Sequence, residues 1–303
     1  MFLPLSLFKG EIAALSAALI WAIASFIYLK LGRRMSPLIL NGTKSVIAIV
    51  LLLITLWVLQ DNPSALTRQA LLYLILSGAI GIGLGDTAFF GSINTLGARR
   101  ALLMESLAPP LAALIAVFFL QETLSAIAWM GIFLTVGGVT WVVMEQGANT
   151  MVRSPLVWRG IGLGLVAALS QASGAVLSRA ALVDSDISTL WSTLIRLLAG
   201  VLVIVLWLGR QSGELEDLKW LRSPRTLAIV AATAFGSTFL GIWLQQTALK
   251  FTAAGIAQSL GATSPLFALP LSIWAGERLS PRAVIGVVIA LVGIWLLFMR
   301  SGT

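Results

Sequence analysis

Positions 98–144 read ARRALLMESLAPPLAALIAVFFLQETLSAIAWMGIFLTVGGVTWVVM, and positions 253–299 read AAGIAQSLGATSPLFALPLSIWAGERLSPRAVIGVVIALVGIWLLFM. Each is a pair of apolar stretches divided by a short polar turn. The copies align without a gap. Pro110, Leu111, Glu122, Leu124, Ser125, Gly131 and Gly138 return 155 positions later as Pro265, Leu266, Glu277, Leu279, Ser280, Gly286 and Gly293. A stretch of roughly 20 apolar residues rising 1.5 Å each crosses the hydrocarbon of a bilayer. The pattern therefore predicts paired membrane helices, used twice.

The rest of the chain extends the pattern. Of 303 residues 58% are hydrophobic and 11% charged, and the mean hydropathy is +0.98. A soluble domain of this length lacks the polar cover to hide so much apolar surface, so lipid is the solvent. Segments at 10–31, 36–59, 69–94, 98–120 and 125–144, then 158–182, 187–208, 225–249, 253–275 and 281–299, have span length and composition. The first is too long for the apolar part of a secretory leader, and no small-residue cleavage site follows it, so it reads as a permanent span.

Halves at 1–150 and 151–303 thus carry five spans each. An odd number makes the second half enter the bilayer with the opposite orientation, giving two inverted five-helix repeats. Inverted repeats suit a carrier, because exchanging the two halves' conformations exchanges inward-open for outward-open. A duplicated scaffold without transport is the competing use. In the linker before the eighth span, Leu215, Leu218 and Leu221 fall at the spacing of a short amphipathic turn on the membrane surface or of an ordinary solvated loop.

What is missing narrows the chemistry. With no Cys and no His, thiolate catalysis, disulfides and the usual zinc sites are excluded. No HExxH or Asp-rich metal motif occurs either, so an enzyme is not expected. The net charge of +8 does not indicate nucleic acid, because the basic residues are scattered over loop ends.

The segment Ala101–Pro110, followed by Phe119-Leu120-Gln121-Glu122-Thr123-Leu124-Ser125 and Gly131…Gly137-Gly138, resembles the repeat of EamA-like transporters of the drug/metabolite transporter superfamily. So does the second copy, Ala262-Thr263-Ser264-Pro265 with Ala275-Gly276-Glu277-Arg278-Leu279-Ser280 and Gly286…Gly293. The resemblance implies an all-α integral membrane protein of ten transmembrane helices around a central cavity. It further implies export of amino acids or other small metabolites, no enzymatic activity and no bound cofactor.

A charge at mid-membrane costs roughly 2.5–3.5 kcal/mol on the insertion scale, so Lys44, Asp86, Glu105 and Arg196 are the leading site candidates. Near the starts of the halves the offset is smaller, by an insertion of a few residues before the third helix of the second half. There Lys44 and Arg196 are repeat equivalents, with Asn41 and Thr193 three positions earlier on the same helical face. They either anchor their helices or contact substrate. Asp86 and Glu105 have no acidic equivalents, since Gly241 and Leu260 occupy the matching positions. A fold requirement should recur in both repeats. The asymmetry therefore favours substrate recognition or coupling to a proton or ion, although a simple ion pair would also satisfy an acid. In the first span Ala14, Ala18, Trp21, Ser25 and Tyr28 form one stripe, matched in the sixth by Gly164, Ala168, Gln171, Ala175 and Ser178. Such faces pack closely against a helix or line a wet cavity. Trp21, Ser25, Tyr28 and Gln171 join the candidates. The run Ser170–Gly174 is expected to loosen the sixth helix, Gly81/Gly85 and Gly160/Gly164 to permit close helix contact, and Glu122 and Glu277 to cap the helices that follow them.

Lys9, Arg68, Arg179, Lys250 and Arg300 fall on one side of the ten-span topology, and the larger set, including Lys30, Arg33, Arg34, Arg99, Arg100 and Arg153, on the other. The positive-inside rule then places the N-terminus outside, whereas the resemblance implies both ends in the cytoplasm. The sequence predicts a multi-pass inner-membrane carrier of a small metabolite, an exporter working by alternating access. A passive channel or facilitator of the same fold is the alternative.

Overall fold

The computed structural model describes residues 8–31, 35–62, 66–145, 155–209, 214–274 and 281–300. The expected cap at Glu277 lies outside them. Among the described residues every regular element is a helix. Ser36 caps α2 (Pro37–Leu59), its hydroxyl accepting from Ile39 N at 3.4 Å, with Pro37 at the first helical position. Before it runs α1 (Lys9–Leu31). Thr67 caps α3 (Arg68–Ser77), which passes through a π-helical segment (Gly78–Asp86) into α4 (Thr87–Leu96). Pro109 and Pro110 cannot donate to a preceding turn, and the chain breaks just before them, between α5 (Ala98–Glu105) and α6 (Ala108–Phe119). α7 (Ala126–Glu145) ends this half.

The second half repeats the order. α8 (Pro155–Leu182) and α9 (Thr189–Leu208) are followed by a 3-10 helix (Glu214–Arg222). α10 (Pro224–Ala234) then leads through a second π segment (Phe235–Leu240) into α11 (Gly241–Phe251). α12 (Ala254–Gly261) breaks ahead of Pro265 into α13 (Ser264–Trp274), and α14 (Pro281–Arg300) follows. The 155-position offset lays Phe235–Leu240 on positions 80–85, inside the first π segment.

Eight helices among the described residues are long and apolar enough to cross a membrane: Pro37–Leu59, Arg68–Leu96, Arg100–Phe119, Ala126–Met144, Val157–Leu182, Thr189–Leu208, Pro224–Phe251 and Arg282–Met299. Their outer faces are apolar. Leu202, Val205 and Leu206 on α9 and Val288, Leu291 and Trp295 on α14 are all exposed. The interior is lined with small side chains, among them Ala13, Ala17, Ala112, Ala116, Ala168 and Ala172, which let helices approach closely. This is a multi-pass membrane protein.

Contacts between the halves are reciprocal. α1 packs on α11 and the second π segment, and α8 packs on α4 and the first. α9 meets the first π segment as α2 meets the second; α2 pairs with α9, α6 with α12 and α7 with α14. The last pair meets through glycine. A Cβ on Gly138 would overlap the backbone at Ala290, and one on Gly293 the backbone at Thr135.

Two sequence expectations change, at Ser170–Gly174 and Glu122, and the alternatives at 214–222 resolve to a short helix. α8 runs unbroken through Ser170–Gly174, because these small residues pack against the first π segment and are supported by it. The segment at 214–222 forms a 3-10 helix, held by Asp217, whose Oδ2 accepts from Ser36 N at 2.7 Å. Glu122 does not cap the next helix. Ser125 does that, accepting from Ala128 N at 3.3 Å, while Glu122 Oε2 accepts from Ala254 N at the start of α12.

Candidate functional site

The first π segment sets the site. Its sequence, GAIGIGLGD, has four glycines, which let neighbouring helices approach the wide turn closely. Gly78 lies against the backbone of α9, where a Cβ would overlap the Arg196 carbonyl. Ser77 Oγ donates to Gly174 O at 2.6 Å and so fixes the start of the segment to α8. Asn41 Nδ2 donates to Ile82 O at 3.0 Å and to Thr87 Oγ1 at 3.4 Å, supplying a donor to a carbonyl inside the π register. Asp86 closes the segment.

Asp86 Oδ2 accepts from Lys44 Nζ at 3.0 Å, and its Oδ1 accepts from Gln171 Nε2 at 2.8 Å. Both charged side chains are largely buried, 10% exposed for Lys44 and 19% for Asp86. Lys44 Nζ also lies 5.1 Å from the ring centre of Phe90 and 5.9 Å from that of Tyr28. An ammonium taken out of water is thus met by a carboxylate and two ring faces. The Tyr28 hydroxyl lies 2.6 Å from Ser237 Oγ, and Trp21 Nε1 donates to Ser237 O at 2.8 Å.

Five of the eight predicted residues, Trp21, Tyr28, Lys44, Asp86 and Gln171, therefore belong to one network that crosses between the halves. The other three do not join it. Ser25 is exposed and donates to Ala22 O on its own helix. Glu105 Oε2 and the Nε and Nη1 of Arg196 are buried without hydrogen-bond partners. The repeat symmetry is visible in the network. Gln171 reaches Asp86, while its counterpart Trp21 lies against Gly241, the counterpart of Asp86, where a Cβ would overlap the indole nitrogen.

Sequence reasoning missed Phe90 and Ser237. Phe90 is one helical turn beyond Asp86 and was detectable as an aromatic at that spacing. Ser237 contributes partly through its carbonyl, which leaves no mark in a sequence. A separate groove of about 700 Å³, lined by Trp57, Gln60, Asp61, Asn62 and Trp191 among others, lies at the end of α2 and shares no residue with the network.

The EamA-like transporter family model matches residues 8–144 and again 158–299. The chain belongs to the EamA-like transporter family. It is 26% identical over 289 residues to an uncharacterized transporter of Archaeoglobus fulgidus, covering 94% of this chain and 96% of that one. To an uncharacterized transporter of Synechocystis sp. it is 27% identical over 274 residues, covering 82% and 78%. A solved crystal structure superposes with a TM-score of 0.79 over 96% of this chain and 97% of its own, at 15% identity, which speaks to the fold alone.

Proposed function

We propose that this EamA-like protein is a secondary carrier that exports a small metabolite, an amino acid or a related compound, across the inner membrane. It works by alternating access, with ten spans in two inverted five-helix halves. The observation that carries this is the buried Lys44–Asp86–Gln171 network, shared between α2 and the first π segment of one half and α8 of the other. Charged groups are kept inside a membrane bundle at a cost, and they mark substrate or ion paths. The reciprocal contacts between halves support two units that can exchange conformations. The chain's task in this reading is movement rather than bond-making.

Asp86 and Glu105 are the proposed coupling or substrate-binding acids. Asp86 holds the network together, and Glu105 offers a buried oxygen with no partner. A proton or an ion is the proposed coupling partner. The test is flux of radiolabelled amino acids from proteoliposomes under an imposed proton or sodium gradient. Gradient-dependent uphill movement is expected. Downhill movement alone, insensitive to either gradient, would leave a passive facilitator.

A further inference from the structure

We infer that Arg196 is the second, alternating counter-ion of Asp86, so that the carboxylate held by Lys44 here passes to Arg196 in the opposite conformation of the carrier. The inference rests on the carrier reading above. Lys44 and Arg196 occupy matching positions of the two repeats, and they flank one element. Lys44 grips the first π segment from α2, while Arg196 lies against it on α9. Their states differ. Lys44 has a carboxylate at 3.0 Å and two rings. Arg196 is 3% exposed, and neither its Nε nor its Nη1 has a hydrogen-bond partner.

A buried guanidinium without a partner is costly, and a conformation that gives it a carboxylate would relieve that cost. The second half has no acid at the position matching Asp86, where Gly241 stands. Asp86 is the carboxylate on the segment against which Arg196 packs. Gly78 and Gly81 let Arg196 pack directly on the segment that Asp86 closes; a Cβ on Gly81 would lie 3.3 Å from Arg196 Nη2.

The π register supplies the movement. A π turn closes on the fifth residue where an α turn closes on the fourth. Relaxing Gly78–Asp86 toward α geometry therefore changes the direction in which Asp86 leaves the helix. Asn41, bonded to Ile82 O and Thr87 Oγ1, holds the register seen here.

The test reads conformation and needs no substrate. The chain has no cysteine, so Phe119→Cys with Phe251→Cys places two spin labels at the exposed ends of α6 and α11 without further engineering. Pulsed electron–electron distances in lipid nanodiscs then give the populations of the state seen here and of its opposite. Lys44→Gln is expected to shift the ratio away from the present state, and Arg196→Gln toward it, each at least about fivefold. Shifts in the same direction, or none, overturn the handover while two wild-type distances still support the carrier. A single wild-type distance overturns both. Should Arg196→Gln not insert, Arg196→Lys, which keeps the charge but loses the planar fork, is expected to shift the ratio the same way by less. An unchanged ratio there overturns the handover equally.

Discussion

The structural part of the Lys44–Asp86 ion pair can be separated by substitution from its proposed part in transport. Asp86→Asn alone leaves the buried ammonium with ring faces and an amide, and breaking a buried pair costs about 3–5 kcal/mol. A large fall in melting temperature is expected, measured by thermal unfolding in detergent. Adding Lys44→Met removes the stranded charge. The double variant is expected to regain most of the stability and to remain inactive in flux, whereas recovery of flux along with stability would make the pair purely structural. Glu105 is the opposite case. Its Oε2 has no partner to strand, so Glu105→Gln is expected to melt at or above the wild-type temperature. Its flux is expected to fall about tenfold, equivalent to about 1.4 kcal/mol, with an altered pH profile. Wild-type flux across the pH series would remove Glu105 from the site.

At the scale of elements, two features stand out: the π segments, the first of which carries Asp86, and a clamp at one end of the bundle. Lys44 and Asp86 stood out in the sequence because charge in an apolar stretch is rare, and Trp21, Tyr28 and Gln171 through their helical stripes. The same signals also picked out Arg196, Glu105 and Ser25, which do not join the network. The π segments were not legible. A glycine-rich apolar run satisfies the α pattern as well as the π one, and the choice is made by neighbours such as Asn41, Ser77 and Arg196. Gly78→Ala is expected to cost about 1–3 kcal/mol, the range for overpacking, because its Cβ would meet the Arg196 backbone. Gly137→Ala, whose Cβ meets nothing within 4 Å, is the control and is expected to be neutral or stabilising. Equal melting temperatures for the two would contradict the close approach. The clamp was half legible. Glu122 stood out as a repeated acid, but its partner lies in the other half. Arg179 Nε donates to Glu122 Oε1 at 2.8 Å, and Arg179 Nη1 donates to Leu249 O and Lys250 O at the end of α11. With Ala254 N on Glu122 Oε2, the cluster ties α6, α8, α11 and α12 together. Arg179→Gln is expected to loosen that end, read as faster amide hydrogen exchange at 249–254. Unchanged exchange would mean that the clamp holds nothing.

For the whole molecule, the helical class and the family were legible in the sequence, because apolar span lengths and the gapless match of 98–144 to 253–299 are long-range signals that tolerate local error. Individual helix ends and cross-half partners depend on three-dimensional neighbours and were not readable from the chain. The reciprocal contacts of α1 with α11 and α8 with α4 are what two exchangeable halves require. A bound substrate should raise the apparent stability of the folded state, by about 2.7 kcal/mol at a hundredfold excess over its dissociation constant. The most direct test of the carrier is gradient-driven flux through proteoliposomes containing wild-type protein or the Lys44→Met, Asp86→Asn double variant. Uphill flux by the wild type and none by the folded double variant is the expected result. Equal flux by both would contradict a transport site at Asp86.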